Sequence, residues 1–354
     1  MGKNQDENKK LLLVTFPVDL GNRTFERRFI QLFENSVDLK VHRFIPNQTF
    51  PNTSLKYLAT IGRRFLASFE LQRIVREANR EGRKVLFHGI SPALFAYPAI
   101  QRGNSCIVTD WTRKLYEPLN GTSMSPSWLT ALHRHILNSQ KYIIGLTDAV
   151  LEEIATDYGI SAHKLRKGRL PFSFDLDMFI PSPRRNDFLI KILFVGGDFE
   201  RKGGDVLLNW FTAQQHPNLQ LTMITGHPVG DHAGVVAESN VQYGQPKHIE
   251  LYRDHDILVL PTKCDSYPSV LGEAACAGLA ILTTRNALGA PEIIEQGCNG
   301  YLCDTQEEVL RKLDQLVQDK ALIEDMKRKS REIIEDKFAF DLVLKDFTSC
   351  IFDD

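Results

Sequence analysis

The six cysteines, Cys106, Cys264, Cys276, Cys298, Cys303 and Cys350, form no Cys-x-x-Cys pair and no zinc-type spacing. A structural zinc site and a thioredoxin-like redox pair are therefore not expected, and the six read as reduced structural thiols. No run of about 18 apolar residues is present to span a bilayer. The first ten residues, MGKNQDENKK, are polar and lack the apolar core of a secretory signal. A cytoplasmic location is expected, and the Asn-x-Ser/Thr triplets at Asn22, Asn47, Asn52 and Asn120 then read as chance. Two phosphate-binding fingerprints are also missing. The first apolar run and its turn, LLLVTFPVDLGNRTF, contain no GxGxxG, and GxxxxGK[ST] occurs nowhere, which argues against NAD-type dinucleotide binding and P-loop ATP chemistry. Low-complexity tracts and short repeats are absent as well.

What is present is enough apolar sequence for about two globular domains, with 43% apolar and 25% charged residues over 354 positions. The net charge of −1 conceals an asymmetry. Residues 1–170 carry 25 Lys+Arg against 15 Asp+Glu, a balance of +10, and the remainder carries 18 against 29, a balance of −11. A basic half can attract nucleic acid, an anionic lipid surface or an anionic substrate. Short β-prone runs recur between helical patterns: LLLVTFP, VDLKVHRF, KVLFHG, NSCIVTD and KYIIGLT, then KILFVGG, LQLTMITG, DILVLPT, AILTT and GYLCD. That alternation predicts parallel sheets with crossover helices, in two Rossmann-like domains. Between the series, LPFSFDLDMFIPSPRRND carries three prolines and reads as a linker over about 170–187. A helix is expected from about Glu332 to Ile351.

Ligands of such sheets lie beyond the carboxyl ends of the strands. There, KILFVGGDFERKGGDVLL runs a strand into Gly196-Gly197, where backbone can approach a ligand, and places Arg201-Lys202 before Gly203-Gly204 and a helix. The pair reads either as a diphosphate clamp or as solvated surface cations. In DILVLPTKCDSYPSVLGEAACAGLAILTT, a strand over 256–260 feeds a loop over 261–268. A helix then runs from about Ser269 to Ala277 and closes at Gly278. Its first N–H groups, around Ser269, Val270 and Leu271, form a positive helix end. Asp265 stands in the loop and Glu273 in the helix. From spacing alone they are an acid/base pair, metal ligands, clamps on a polar ligand, or solvated acids. Asp175-x-Asp177, Asp254 and Asp256 read as structural, the last two at the start of a strand.

Taken together, GGDFERKGGDVLL, then DSYPSVLGEAACAGLAILTT about sixty residues on, then NALGAPEII, resemble the retaining family-4 glycosyltransferases of GT-B fold. LTDAVLEEIATDYGI and the terminal helix extend the likeness over about 140–351, strongest at 190–295. The family's E-x7-E here reads Asp265-x7-Glu273. The resemblance implies an α/β GT-B chain, with two Rossmann-like domains facing across a cleft and a C-terminal crossover helix. Residues 1–175 would be the acceptor-side domain, joined by a helix at about 337–354, and residues 176–336 the nucleotide-sugar domain. It implies that Glu273 accepts from ribose hydroxyls, that Asp265 faces the donor sugar and that Arg201 and Lys202 hold the diphosphate, with no metal or other cofactor required. Gly196, Gly197, Ser266, Tyr267, Pro268, Ser269 and Val270 complete the donor-binding set, and QYGQPKH over 242–248 would flank the base. Asp265 departs from the family's commoner Glu by one methylene.

On the acceptor side the resemblance implies a role for Gly21, at the first strand-to-helix turn; with Arg201, Lys202 and Asp265 it implies a catalytic role for His88, where the family often has a histidine-rich loop facing the donor sugar. His88 reads equally as a satisfied loop histidine. Asp110, Trp111 and Thr112 lie at another strand end and offer an acceptor surface. His133 and His135 are two apart on a helix and share no face. The segment Gly62 to Lys84 interleaves Arg with Phe65, Phe69, Leu71, Ile74 and Val75. It reads as an ordinary amphipathic helix or as an interfacial helix on anionic lipid. The implied activity is retaining transfer of a sugar from a nucleoside-diphosphate sugar to a glycan or lipid-linked acceptor, in polysaccharide or glycolipid synthesis. The leaving phosphate would help to deprotonate the acceptor. The alternatives are an inactive nucleotide-sugar-binding subunit and a GT-B epimerase or phosphorylase. No nucleic-acid partner is expected.

Overall fold

The computed structural model describes residues 9–17, 20–45, 54–113, 115, 126–182, 189–213 and 217–353. They divide into two units. Residues up to 115, residues 126–171 and the last helix form unit 1, and residues 172–339 form unit 2.

Unit 1 is a parallel six-stranded sheet ordered β2-β1-β3-β4-β5-β6. Its strands are β1 Lys10–Thr15, β2 Asp38–Arg43, β3 Lys84–His88, β4 Ser105–Thr109, β5 Tyr142–Gly145 and β6 Leu165–Lys167. Central strands covered by helices on both faces need continuous apolar runs rather than alternation, and LLLV in β1 and CIV in β4 are buried throughout. The helices are α1 Leu20–Phe33, α2 Ser54–Arg80, α3 Ile90–Ala96, α4 Ser127–Ser139 and α5 Asp148–Thr156. Leu71, Val75 and Ala78 of α2 enter the core.

Unit 2 repeats the plan, ordered β12-β11-β10-β7-β8-β9. Its strands are β7 Ile190–Val195, β8 Leu219–Ile224, β9 Val235–Glu238, β10 Ile257–Leu260, β11 Ala280–Thr284 and β12 Gly300–Cys303. Its helices are α6 Ser173–Met178, α7 Gly204–Ala213, α8 Pro246–Arg253, α9 Ser269–Ala277, α10 Ala290–Ile293, α11 Gln306–Leu316 and α12 Lys320–Lys337. β10 and β11 are buried along their whole length, and the parallel pairing of β10 with β7 brings the loops after these two strands together at the carboxyl end of the sheet.

Three expectations are corrected. Segment 170–187 is not a bare linker: it contains α6, and Phe172 and Phe179 on either side of it are fully buried. Arg331 ties it down by donating to the carbonyls of Leu176, Phe179 and Cys276 at 3.1, 2.9 and 2.6 Å. The single C-terminal helix is two, α12 and α13 Phe340–Phe352. The break falls at buried Phe338, which packs edge-on against Phe172 in unit 2, whereas Phe347 of α13 packs on Phe29 and Phe33 in unit 1. Finally, Asp254 is the C-cap of α8 rather than the start of a strand.

Candidate functional site

β7 ends at Val195 and the chain turns through Gly196 and Gly197. A side chain at Gly196 would crowd the Phe194 ring and the Lys202 stem, while Gly197 faces open space. The turn closes with Lys202 N–H donating to Asp198 O at 3.0 Å and reaches α7 through Gly203 at φ 79°. A Cβ at Gly203 would run into the Pro261 carbonyl oxygen, so glycine is what lets this turn lie against the loop after β10.

The two loops are stitched together. Lys263 N–H and the Thr262 hydroxyl both donate to Arg201 O, at 2.8 and 3.2 Å, and Arg201 Nη1 donates to Cys264 O at 2.6 Å. Arg201 Nε also donates to Asp198 Oδ2 at 2.7 Å, and that hydrogen bond holds the Asp198 carboxyl below its usual range. Lys202 Nζ is ion-paired directly with Asp265 Oδ2, and Arg201 Nη1 stands 3.8 Å from the same oxygen. Lys202 and Asp265 side chains are each only 14% exposed. Arg201, Lys202 and Asp265 are thus one contiguous group, with two cations around one carboxylate.

Past Asp265 the loop is braced from its other side. Leu288 and Gly289 N–H groups donate to Asp265 O and Ser266 O at 2.9 and 2.8 Å, and the buried Tyr267 ring lies where a Cβ on Gly289 would be. Pro268 leads into α9, whose N-terminus has no side-chain cap. Ser269 and Val270 are half-buried there. One turn on, Glu273 is 3% exposed. Its Oε2 accepts from the Tyr252 hydroxyl at 2.9 Å and its Oε1 from the Ser269 hydroxyl at 3.2 Å, with His248 Nε2 at 3.8 Å from Oε2. Tyr252, on α8, carries no motif that marks it in the sequence, whereas His248 on the same helix closes the 242–248 segment expected to flank the base.

Of the other acids singled out, Asp177 is exposed, while Asp175 and Asp256 are structural. Asp175 is fully buried and accepts from the Tyr243 hydroxyl at 2.5 Å, and Asp256 accepts from Lys191 N–H and Lys327 Nζ at 2.9 and 2.8 Å. Among the described residues no cluster of three or more His, Cys, Asp or Glu could hold a metal ion.

In unit 1, Gly21 is exposed in the first turn of α1. His88 ends β3, buried, with its ring stacked on Phe25 at 3.7 Å, and burial pushes its pKa down to about 3, so it is neutral. At the end of β4, Asp110 is half-buried, Trp111 is exposed, and Thr112 is buried with its hydroxyl bonded to Glu153 of α5. Of the three it is Trp111 that faces solvent. His133 is buried and His135 is not, as their spacing requires. On α2, Phe65, Leu66 and Phe69 are 64%, 69% and 53% exposed, with the two rings 4.8 Å apart. Arg73, Arg76 and Arg80 follow on the exposed surface, with Glu70 and Glu77. No helix among the described residues is long and apolar enough to cross a membrane.

Residues 179–333 match the model of the family described as glycosyl transferases group 1. An uncharacterized glycosyltransferase of Haemophilus influenzae is 30% identical over 157 residues, covering 41% of this chain and 44% of that protein. N-acetyl-alpha-D-glucosaminyl L-malate synthase of Bacillus anthracis is 29% identical over 106 residues, covering 29% of this chain and 28% of that one. The matches thus span less than half the length of these curated relatives. Anabaena Alr3699/HepE, solved in complex with UDP and glucose, superposes with a TM-score of 0.70 at 13% identity, over 96% of this chain and 98% of that one. At such identity the likeness shows the fold, and the fold is GT-B.

Proposed function

We propose, since residues 179–333 belong to glycosyl transferases group 1 and the chain has the GT-B fold, that this protein is a retaining glycosyltransferase. It moves a sugar from a nucleoside-diphosphate sugar to a glycan or lipid-linked acceptor without a metal. The observation that carries this reading is the Arg201–Lys202–Asp265 group stitched beside the start of α9. Two cations at the carboxyl ends of parallel strands suit a diphosphate, with the Arg fork taking two oxygens and Lys acting as a point charge. Both would stabilise the negative charge that develops on the diphosphate as the glycosidic bond breaks, the task a metal performs elsewhere. The solved relative with UDP and glucose supports a nucleotide-sugar donor.

Lys202 is ion-paired with Asp265. Donor binding exchanges partners: the diphosphate takes Lys202, and Asp265 is released toward the sugar hydroxyls as an acceptor-only carboxylate. Glu273 holds the ribose. With no protein nucleophile assigned, the acceptor attacks from the face of the departing phosphate, which takes its proton. Gly21, Asp110 and Trp111 belong to the acceptor side. Phe65, Leu66 and Phe69 on α2, followed by Arg73, Arg76 and Arg80, suit peripheral contact with an anionic membrane surface.

The test is incubation with UDP-, GDP- and ADP-sugars in EDTA, with a panel of glycan and polyprenyl-phosphate acceptors, followed by mass spectrometry. Acceptor-dependent release of nucleoside diphosphate with a glycosylated product supports the proposal. Binding without turnover would indicate an inactive subunit, and conversion of the donor sugar without acceptor an epimerase.

A further inference from the structure

The Glu273 carboxylate does not lie free on its helix. It is anchored through both oxygens by hydroxyls from two different elements, Tyr252 of α8 and Ser269 of α9. Tyr252 is fully buried, and its ring is held by Phe179 at 5.1 Å and by His248 at 5.0 Å. Its hydroxyl position is therefore set by packing, and so is the direction of the bond it donates. His248 cannot substitute. Its Nε2 is 3.8 Å from the carboxylate, beyond hydrogen-bond range, and its Nδ1 accepts from Gly244 N–H at 3.4 Å.

A vicinal diol is read by two acceptor oxygens in a fixed plane. A glutamate on flexible torsions presents that plane only part of the time, and each misplaced rotamer forfeits a charge-assisted hydrogen bond. We infer that Tyr252, together with Ser269 on the other oxygen, positions Glu273: by jointly locking the carboxylate plane they make the site select ribose over 2′-deoxyribose in the nucleotide. The inference rests on the donor reading above, because it presumes that Glu273 meets the ribose. Tyr252 itself stays behind the carboxylate and touches no substrate.

The experiment is calorimetric titration of the full chain with the nucleotide pairs UDP and 2′-deoxy-UDP, GDP and 2′-deoxy-GDP, and ADP and 2′-deoxy-ADP. Wild type, Tyr252→Phe, Ser269→Ala and Glu273→Ala are compared on the pair that binds. Wild type is expected to prefer the ribonucleotide by about tenfold or more, the scale of one hydrogen bond to a charged group. Tyr252→Phe preserves the ring and its packing. It should raise Kd for the ribonucleotide by roughly fivefold to tenfold while leaving the deoxynucleotide nearly unchanged, so that the preference collapses. Equal weakening of both nucleotides in Tyr252→Phe would mean a packing role and overturn the inference, as would an unchanged preference. Ser269→Ala tests the other oxygen and decides the matter if Tyr252→Phe fails to fold: a preserved preference there overturns the inference. Glu273→Ala separates the two levels. If it keeps the wild-type preference, or if no pair binds wild type, the donor reading itself fails. If it abolishes the preference while Tyr252→Phe and Ser269→Ala do not, only the positioning inference fails.

Discussion

Replacing Lys202 by methionine removes the ammonium but keeps most of the aliphatic stem, so the Gly196 turn that packs on that stem is preserved. Asp265 then keeps Arg201, whose Nη1 is 3.8 Å away. One such pair at an effective dielectric near 20 has a gross attraction of about 4 kcal/mol. The remaining partner and partial exposure therefore hold the net destabilisation to roughly 1–2 kcal/mol. In a unit of this size that shifts Tm by about 2–8 °C. The effect on turnover is much larger. A preorganised cation aimed at developing diphosphate charge contributes on the order of a hundredfold to a thousandfold in kcat. The assay is the initial rate of nucleoside-diphosphate release in EDTA, at a temperature well below both melting transitions. A variant within about threefold of wild type would refute the placement of Lys202 on the leaving group, since no smaller effect is compatible with that role.

Three further outcomes follow from the geometry. Gly203→Ala forces a side chain into the Pro261 carbonyl at φ 79°; a loss of roughly 3 kcal/mol or more in unfolding free energy is expected by denaturant titration, with loss of nucleotide binding. His88 should make the fold acid-sensitive. The unfolded chain takes up a proton below about 6.5, which the buried imidazole refuses until about 3, so its contribution is complete above the first value and drains away as pH falls toward the second. About 2 kcal/mol is lost by pH 5, and His88→Leu should show a correspondingly flatter stability profile between pH 7 and 5. Replacing Phe65, Leu66 and Phe69 together by Ser should abolish co-sedimentation with vesicles containing about 30% anionic lipid and leave Tm unchanged, because all three are exposed.

The sheets were legible because their central strands are short apolar runs between turn signals, and the helix Ser269–Ala277 with Gly278 as its left-handed cap agrees with the expectation from the sequence. Two of the four edge strands were not. Leu165–Lys167 and Val235–Glu238 are short and partly exposed, and their pairing comes from neighbouring strands rather than from a hydrophobic pattern of their own. The segment around Phe172 looked like a linker because prolines flank it, yet Phe172 and Phe179 insert into unit 2 and Arg331, far along the chain, fixes the backbone between them. In the candidate site, Arg201, Lys202, Asp265 and Glu273 were visible through motif spacing. Their mutual arrangement was not: the Lys202–Asp265 pair, the Arg201–Cys264 bond and the Tyr252 anchor all join residues separated by long stretches of chain. Thr112 illustrates the reverse, a strand-end hydroxyl that suggests a surface but is consumed by Glu153.

The most direct measurement is the thermal shift of wild type and Glu273→Ala against UDP-, GDP- and ADP-sugars in EDTA. A rise in Tm with at least one nucleotide sugar in wild type, absent from Glu273→Ala, is the predicted result, because ligand bound only to the folded state stabilises it by mass action. No rise with any nucleotide sugar, or an undiminished rise in the variant, would contradict the assignment of this site to a nucleotide-sugar donor.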